Sequence, residues 1–207
     1  MANPRINENL TKDIRAYFGS SGSGKTFNIK RDIQGDKRVL AFDPEGSFGE
    51  ADGFQVTASL GEFYQLARYS MDGRYCFQGN ANSFMDWSEL VFALADARRP
   101  CTAVVDELTG VTTTSKAKGG WLDMLTRGRK YGLKIRAGAH SPAEIDKTLI
   151  RQVSGVWVGF QGRQADIDYL SNQLSVPSDE ISGLRANPHF DCIYWKGRGN
   201  FRHKKGE

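Results

Sequence analysis

The sequence predicts an α/β fold built around a mainly parallel central sheet. Short apolar runs of strand length alternate with longer amphipathic stretches along nearly the whole chain, the pattern of strands joined by crossover helices. A glycine- and serine-rich loop, residues 19–26, joins the first apolar run to the first helical stretch. A later run of small and β-branched residues, 102–105, ends on the adjacent acids Asp106 and Glu107.

In chain order, the first strand is IRAYF, Ile14–Phe18, followed by a helix over 25–33. The second strand is RVLAF, Arg38–Phe42, and a helix over 60–69 precedes a strand over 74–77. A helix over 84–98 leads to the strand 102–105, after which LTGVTTTSKAKG, residues 108–119, lacks periodicity and reads as an exposed loop. A helix over 120–131 follows, with Gly132 placed as its left-handed cap. The remaining elements are a strand Leu133–Ala139, a helix over 143–152, a strand over 155–160, a helix Gln164–Leu174 and a strand over 191–195.

At 207 residues the chain supports one sizeable core, read as a domain over 1–196 with a basic C-terminal tail, 197–207. With 39% hydrophobic and 25% charged residues, the composition excludes disordered and fibrous classes. Cys76, Cys101 and Cys192 are too scattered for a disulfide framework or a zinc site and read as buried thiols in a reducing cytoplasm. The N-terminus has no apolar signal region, and no run of roughly 18 apolar residues occurs, so the expectation is a soluble protein with no membrane segment of its own. Net charge is +4, and residues 196–207 carry that excess.

Residues 19–26 read GSSGSGKT and satisfy G-x-x-x-x-G-K-[ST], the P-loop or Walker A pattern, at every fixed position. Gly19, Ser20, Ser21, Gly22, Ser23 and Gly24 can wrap phosphate oxygens with backbone N–H groups at a helix start. Lys25 then supplies a point charge to the β- and γ-phosphates, and the Thr26 hydroxyl completes the shell of Mg²⁺. The ligand implied is ATP with Mg²⁺.

In TAVVDE, Asp106 ends a buried strand where it reaches the Mg²⁺ shell beside Thr26, the Walker B role. Glu107 is then placed to accept a proton from an attacking water. One strand further, LKIRAGA leads to His140 and Ser141, and His140 reads either as a phosphate sensor or as a locally satisfied loop residue.

With these residues in place the chain resembles the FtsK/HerA superfamily of DNA-pumping P-loop ATPases, most of all the small genome-packaging ATPases of membrane-containing icosahedral viruses. GSSGSGKT, VLAFDPEGSF, TAVVDELTG and RGRKYGLKIRAGAHSPAEIDKTLIRQV carry the resemblance. It departs from the family pattern where His140 stands for the usual glutamine or asparagine sensor and Asp-Pro-Glu for Asp-Pro-Lys. The resemblance implies a three-layer P-loop NTPase fold of the RecA-like type, with an additional strand and a catalytic glutamate. It implies a ring, usually a hexamer, with Arg127 or Arg129 inserted beside a neighbour's γ-phosphate; as residues alone, both equally fit a solvated helix end.

A DNA pump further needs cations for DNA phosphates. The C-terminal Lys196, Arg198, Arg202, Lys204 and Lys205, interleaved with aromatic residues, supply that chemistry or merely solubilise the chain, and Lys116 and Lys118 are further candidates. The favoured expectation is packaging of double-stranded viral DNA into a preformed capsid. Packaging-vertex proteins are then the partners, and the locations are the host cytoplasm and the virion vertex. Rival readings are a filamentous-phage assembly ATPase like zonula occludens toxin, a small nucleotide kinase and a non-catalytic nucleotide switch.

Overall fold

The run IRAYF is buried at all but one position and lies deep in the sheet as β1 (Ile14–Phe18). A computed structural model, which describes residues 3–206, places it between β6 (Leu133–Ala139) and β7 (Gly155–Val158), parallel to both. The other strands are β2 (Arg38–Phe42), β3 (Phe54–Thr57), β4 (Gly73–Phe77), β5 (Cys101–Val105), β8 (Cys192–Trp195) and β9 (Phe201–Lys204). They form one nine-stranded sheet in the order β3-β4-β2-β5-β6-β1-β7-β8-β9. All pairs are parallel except β7 with β8 and β8 with β9.

Successive side chains of a strand point to opposite faces, so two cores form. Along β2, Leu40 and Phe42 join one core with Phe63, Trp87, Trp121 and Leu170, whereas Val39 and Ala41 join the other with Ile29, Ile33 and Trp157. The second face is covered by α1 (Lys25–Asp32). The first is covered by α2 (Leu60–Ala67), α3 (Phe84–Leu94), α4 (Gly119–Arg127), α5 (Lys147–Gln152), α6 (Gln164–Leu174) and α7 (Ser178–Ser182). This is the three-layer P-loop fold with a mainly parallel sheet.

Several boundaries depart from the sequence reading for local reasons. The helix expected to reach 98 stops at Leu94, where Arg5 donates 2.7 Å hydrogen bonds to the carbonyls of Ala93 and Ala95 and closes the helix end. The helix expected over 143–152 is split. Pro142 opens a single 3₁₀ turn, and Asp146 then caps α5 by accepting from the N–H groups of Thr148 and Leu149, both at 3.0 Å. The helix over 120–131 ends as a 3₁₀ turn, Gly128–Tyr131, and Gly132 is indeed left-handed, with φ +71°.

Strands β3 and β9 and helix α7 lie outside the expected elements. Four residues of the basic segment read as a tail form an edge hairpin strand: β9 pairs with β8 from Trp195↔Phe201 to Cys192↔Lys204. Met1, Ala2 and Glu207 lie outside the described residues. The three cysteines are free and buried. Among the described residues no helix is long and apolar enough to cross a membrane.

Candidate functional site

Parallel strands bring their C-terminal ends to one edge of the sheet, and the motif residues gather there. The loop after β1 turns into α1 through Gly24, whose φ of +88° is a left-handed conformation that other residues adopt at a cost. Ser20 anchors the loop to the segment after β7: its N–H donates to the Phe160 carbonyl at 2.9 Å, and its hydroxyl accepts from the Gly162 N–H at 2.8 Å. Ser21 is exposed, whereas Ser23 is buried.

Lys25 is only 5% exposed and donates to the Asp106 carbonyl at 2.9 Å and to Glu107 Oε2 at 2.8 Å. The Thr26 hydroxyl lies 3.1 Å from both oxygens of Asp106. Glu107 Oε1 also accepts from the backbone N–H groups of Thr109 (2.8 Å) and His140 (3.2 Å), while the His140 Nδ1 packs against Oε2. The sheet approaches closely here: a Cβ on Gly138 would stand 2.2 Å from the Asp106 carbonyl oxygen.

Environment separates the two adjacent acids. Burial raises the Asp106 carboxyl above its ordinary value despite opposition from Lys25, Ser47 and Thr26. Burial acts on Glu107 in the same sense, but the Lys25 ammonium and hydrogen bonds from Lys25 and Thr109 outweigh it and hold the carboxyl low. Neighbouring carboxylates pushed apart in this way are typical of sites that divide two roles between them.

The donor chemistry fits Mg²⁺. Thr26 and Asp106 offer hard oxygens, and a divalent cation would favour the ionised form that burial penalises at Asp106. Among the described residues no cluster of three His, Cys, Asp or Glu forms a metal site, so phosphate and water oxygens would supply the rest of the shell, as is usual for this ion.

Asp43, at the end of β2 in the segment DPEGSF, is a site residue that sequence reasoning did not single out. It is fully buried, adds to the charge around Asp106, and accepts from the Phe48 N–H at 2.7 Å through one oxygen only. Its other oxygen, Ser23 Oγ and Gln161 Oε1 are buried without partners. Among the described residues these are all the orphaned buried side-chain oxygens, and all three lie on loops leaving this edge. The remaining orphans are nitrogens of Arg38, Trp87, Arg136 and Trp157. Beside Gly24 a cleft of about 360 Å³ is lined by Phe27, Phe190, Arg31 and Tyr194, with Phe27 66% exposed. A larger cleft of about 720 Å³, lined by Arg15, Arg31, Lys196 and Arg202, reaches the opposite edge and touches none of the motif residues.

Other expected residues are not brought to the site. Arg127 and Arg129 precede β6 and so lie at the edge away from their own phosphate loop. Arg127 pairs with Asp123 at 2.9 Å and stacks on Phe92, and Arg129 donates to the carbonyls of Glu8 and Leu10. Lys116 and Lys118 are exposed in the loop after β5. The C-terminal cations are exposed but divided by the hairpin: Lys196 and Arg198 lie at the far edge, Lys204 and Lys205 at the phosphate-loop edge, and Arg202 stacks on Tyr194 between them.

No protein-family model matches the chain. Protein P9 of Pseudoalteromonas phage PM2 is 30% identical over 197 residues, covering 92% of this chain and 88% of that protein. Among solved structures, the genome-packaging NTPase B204 of Sulfolobus turreted icosahedral virus 2, in complex with AMPPCP, superposes with a TM-score of 0.73 at 13% identity, covering 95% of this chain and 97% of that one. The N-terminal domain of zonular occludens toxin from Neisseria meningitidis matches less well, with a TM-score of 0.51 at 13% identity and coverage of 94% and 93%. The phosphate-loop geometry, the shared fold and this sequence relationship converge: the chain belongs to the family of protein P9 of phage PM2.

Proposed function

We propose that the chain is a DNA-translocating ATPase that couples ATP hydrolysis to packaging of double-stranded viral DNA into a preformed capsid. The observation that carries the enzymatic part is Glu107, buried, ionised and hydrogen-bonded to the phosphate-loop lysine beside the Thr26–Asp106 pair. Thr26 and Asp106 would hold Mg²⁺, which would neutralise charge on the phosphates, and Lys25 exchanges Glu107 for the β- and γ-phosphates. Glu107, so released, takes the proton of a water that attacks the γ-phosphorus in line; the bond to the β–γ bridging oxygen breaks, giving ADP and phosphate. His140 holds Glu107 in place, and the Phe27–Phe190 cleft takes the base.

The fold likeness to B204, solved with AMPPCP and with ATP-gammaS, and the relationship to a phage protein support ATP as substrate and packaging as the task. The weaker superposition on the zonular occludens toxin domain makes phage assembly the second reading. In a homo-hexameric ring the edge bearing Arg127 and Arg129 would serve a neighbour's nucleotide, never its own. Lys116 and Lys118, with the C-terminal cations, offer DNA contacts. The protein would act in the host cytoplasm and at the packaging vertex of the virion, anchored by capsid proteins.

ATP turnover measured with and without double-stranded DNA, across protein concentrations spanning assembly, tests the proposal. Turnover that rises with DNA and with assembly is expected; no turnover under any condition overturns it.

A further inference from the structure

The two arginines expected near phosphate stand at the wrong edge to serve their own site, yet another arginine stands at the right one. We propose that Arg163 binds the terminal phosphate of the nucleotide held by its own chain and so makes the site prefer a triphosphate over a diphosphate. The inference deepens the ATPase reading and rests on it.

The backbone places Arg163 first. Beyond β7 the chain runs along the phosphate loop, bonded to Ser20 at both Phe160 and Gly162, so Arg163 begins one residue past a direct contact with that loop. The approach is close enough that a Cβ on Gly162 would meet Ser20 Oγ at 3.3 Å, and one on Gly159 would meet Ser23 Cβ at 3.1 Å.

Topology then fixes the direction of the side chain. Its Nη1 lies 3.3 Å from Ser141 Oγ, on the residue after His140 at the end of β6. In the sheet β1 lies between β6 and β7. A side chain rooted beyond β7 that touches a residue beyond β6 crosses the line of β1, at the margin of the loop and on the side of the 142–144 turn and α6. The ring of His140, the residue before Ser141, packs on Glu107, so the guanidinium's contact lies one residue from the group that faces the acid.

Its present partners are exchangeable. Arg163 is 59% exposed and pairs with Glu144, itself 47% exposed, with Asp166 farther off at 4.0 Å. Exposed pairs of this kind contribute little, about 0–1 kcal/mol. A phosphate offers the same guanidinium fork more charge and a bidentate geometry. Lys25, which touches Glu107 and the Asp106 carbonyl at the base of the loop, serves β- and γ-phosphates alike; Arg163, at its rim, reaches only the outermost.

The test is the affinity of purified protein for ATP-gammaS and for ADP, measured at concentrations low enough to keep the chain monomeric. In Arg163→Ala, ATP-gammaS is expected to weaken by about tenfold to a hundredfold while ADP changes by less than about twofold, the size of one charged hydrogen-bonding contact. Arg163→Lys should recover part of the preference, and Glu144→Ala, which frees the guanidinium, should keep or raise it. Equal weakening of both nucleotides, or an unchanged ratio in Arg163→Ala and Arg163→Lys, would overturn the proposal. A wild-type preference that vanishes on dilution would overturn the same-chain assignment. These outcomes are separate from the function itself: wild-type protein that prefers the triphosphate but never hydrolyses it defeats the ATPase reading alone.

Discussion

The two ends of β1 each carry a charge cluster, partly exposed at the start and buried at the other end, and the clusters differ in how completely their oxygens are satisfied. At the start of β1, Arg136 donates to both oxygens of Asp13 at 3.0 and 2.8 Å, and Arg15 reaches Asp13 at 3.1 Å. Asp32 is met there by Arg15, Tyr17 and Arg136, although the Arg136 Nε lies against it without hydrogen-bond alignment. Every carboxylate oxygen is used. At the other end, where Lys25, Thr26, Asp106 and Glu107 meet, Asp106 ionises against its surroundings, and Ser23 Oγ and one oxygen of Asp43 have no partner. A cluster complete in itself holds a fold together, whereas one with unused valence is built for something that arrives from outside.

The largest effect that sharpens this contrast is expected at the satisfied end. Arg136→Met takes the buried cation from Asp13 and Asp32, which are partly exposed and keep Arg15, and should cost about 1–3 kcal/mol, read as a fall in the denaturation midpoint. Nucleotide affinity of the fraction that remains folded should stay unchanged. A variant that keeps its stability but loses nucleotide would break the assignment of this cluster to the fold.

A smaller effect of opposite sign is expected at the unsatisfied end. The folded state raises the Asp106 carboxyl, so its ionisation opposes folding above the ordinary carboxylate range and ceases to matter below it. Asp106→Asn should therefore melt a few degrees higher than wild type at neutral pH. The gain should shrink as pH falls into the carboxylate range, and Mg²⁺ should no longer tighten nucleotide binding. A variant destabilised at neutral pH would show that Asp106 supports the fold.

What was legible in the sequence follows the same division. The phosphate loop and the Asp106–Glu107 pair are contiguous motifs whose chemistry is written in adjacent residues, and β1, β2 and β6 are apolar runs whose limits were read without error. The edge strands were not legible. FQVT turns only its first and last residues inward, and FRHK is exposed at all but its half-buried first residue, so neither shows the apolar run that marks a buried strand. Pairing with a neighbour makes them strands, and that neighbour is distant in sequence or reached through a turn. Gln161 and Arg163 were illegible for a related reason: each sits on a loop with no motif of its own, and only the parallel sheet brings the end of β7 beside that of β1; Asp43 lay in a segment read for its resemblance, without a role of its own. Arg127 and Arg129 could be read as cations but not placed, because the edge they occupy is a property of strand direction.

The central claim is that the unsatisfied end of β1 hydrolyses ATP with Glu107 as the proton acceptor. It is tested most directly by measuring phosphate release and ATP-gammaS affinity together in wild type and Glu107→Gln. The glutamine keeps one acceptor oxygen, for the Thr109 and His140 N–H groups that share Oε1, but loses the acceptor that faces Lys25 and cannot take the proton. Release should fall by about 10²-fold or more while affinity stays within a few-fold. Release at the wild-type rate, or loss of binding and release together, would contradict the account.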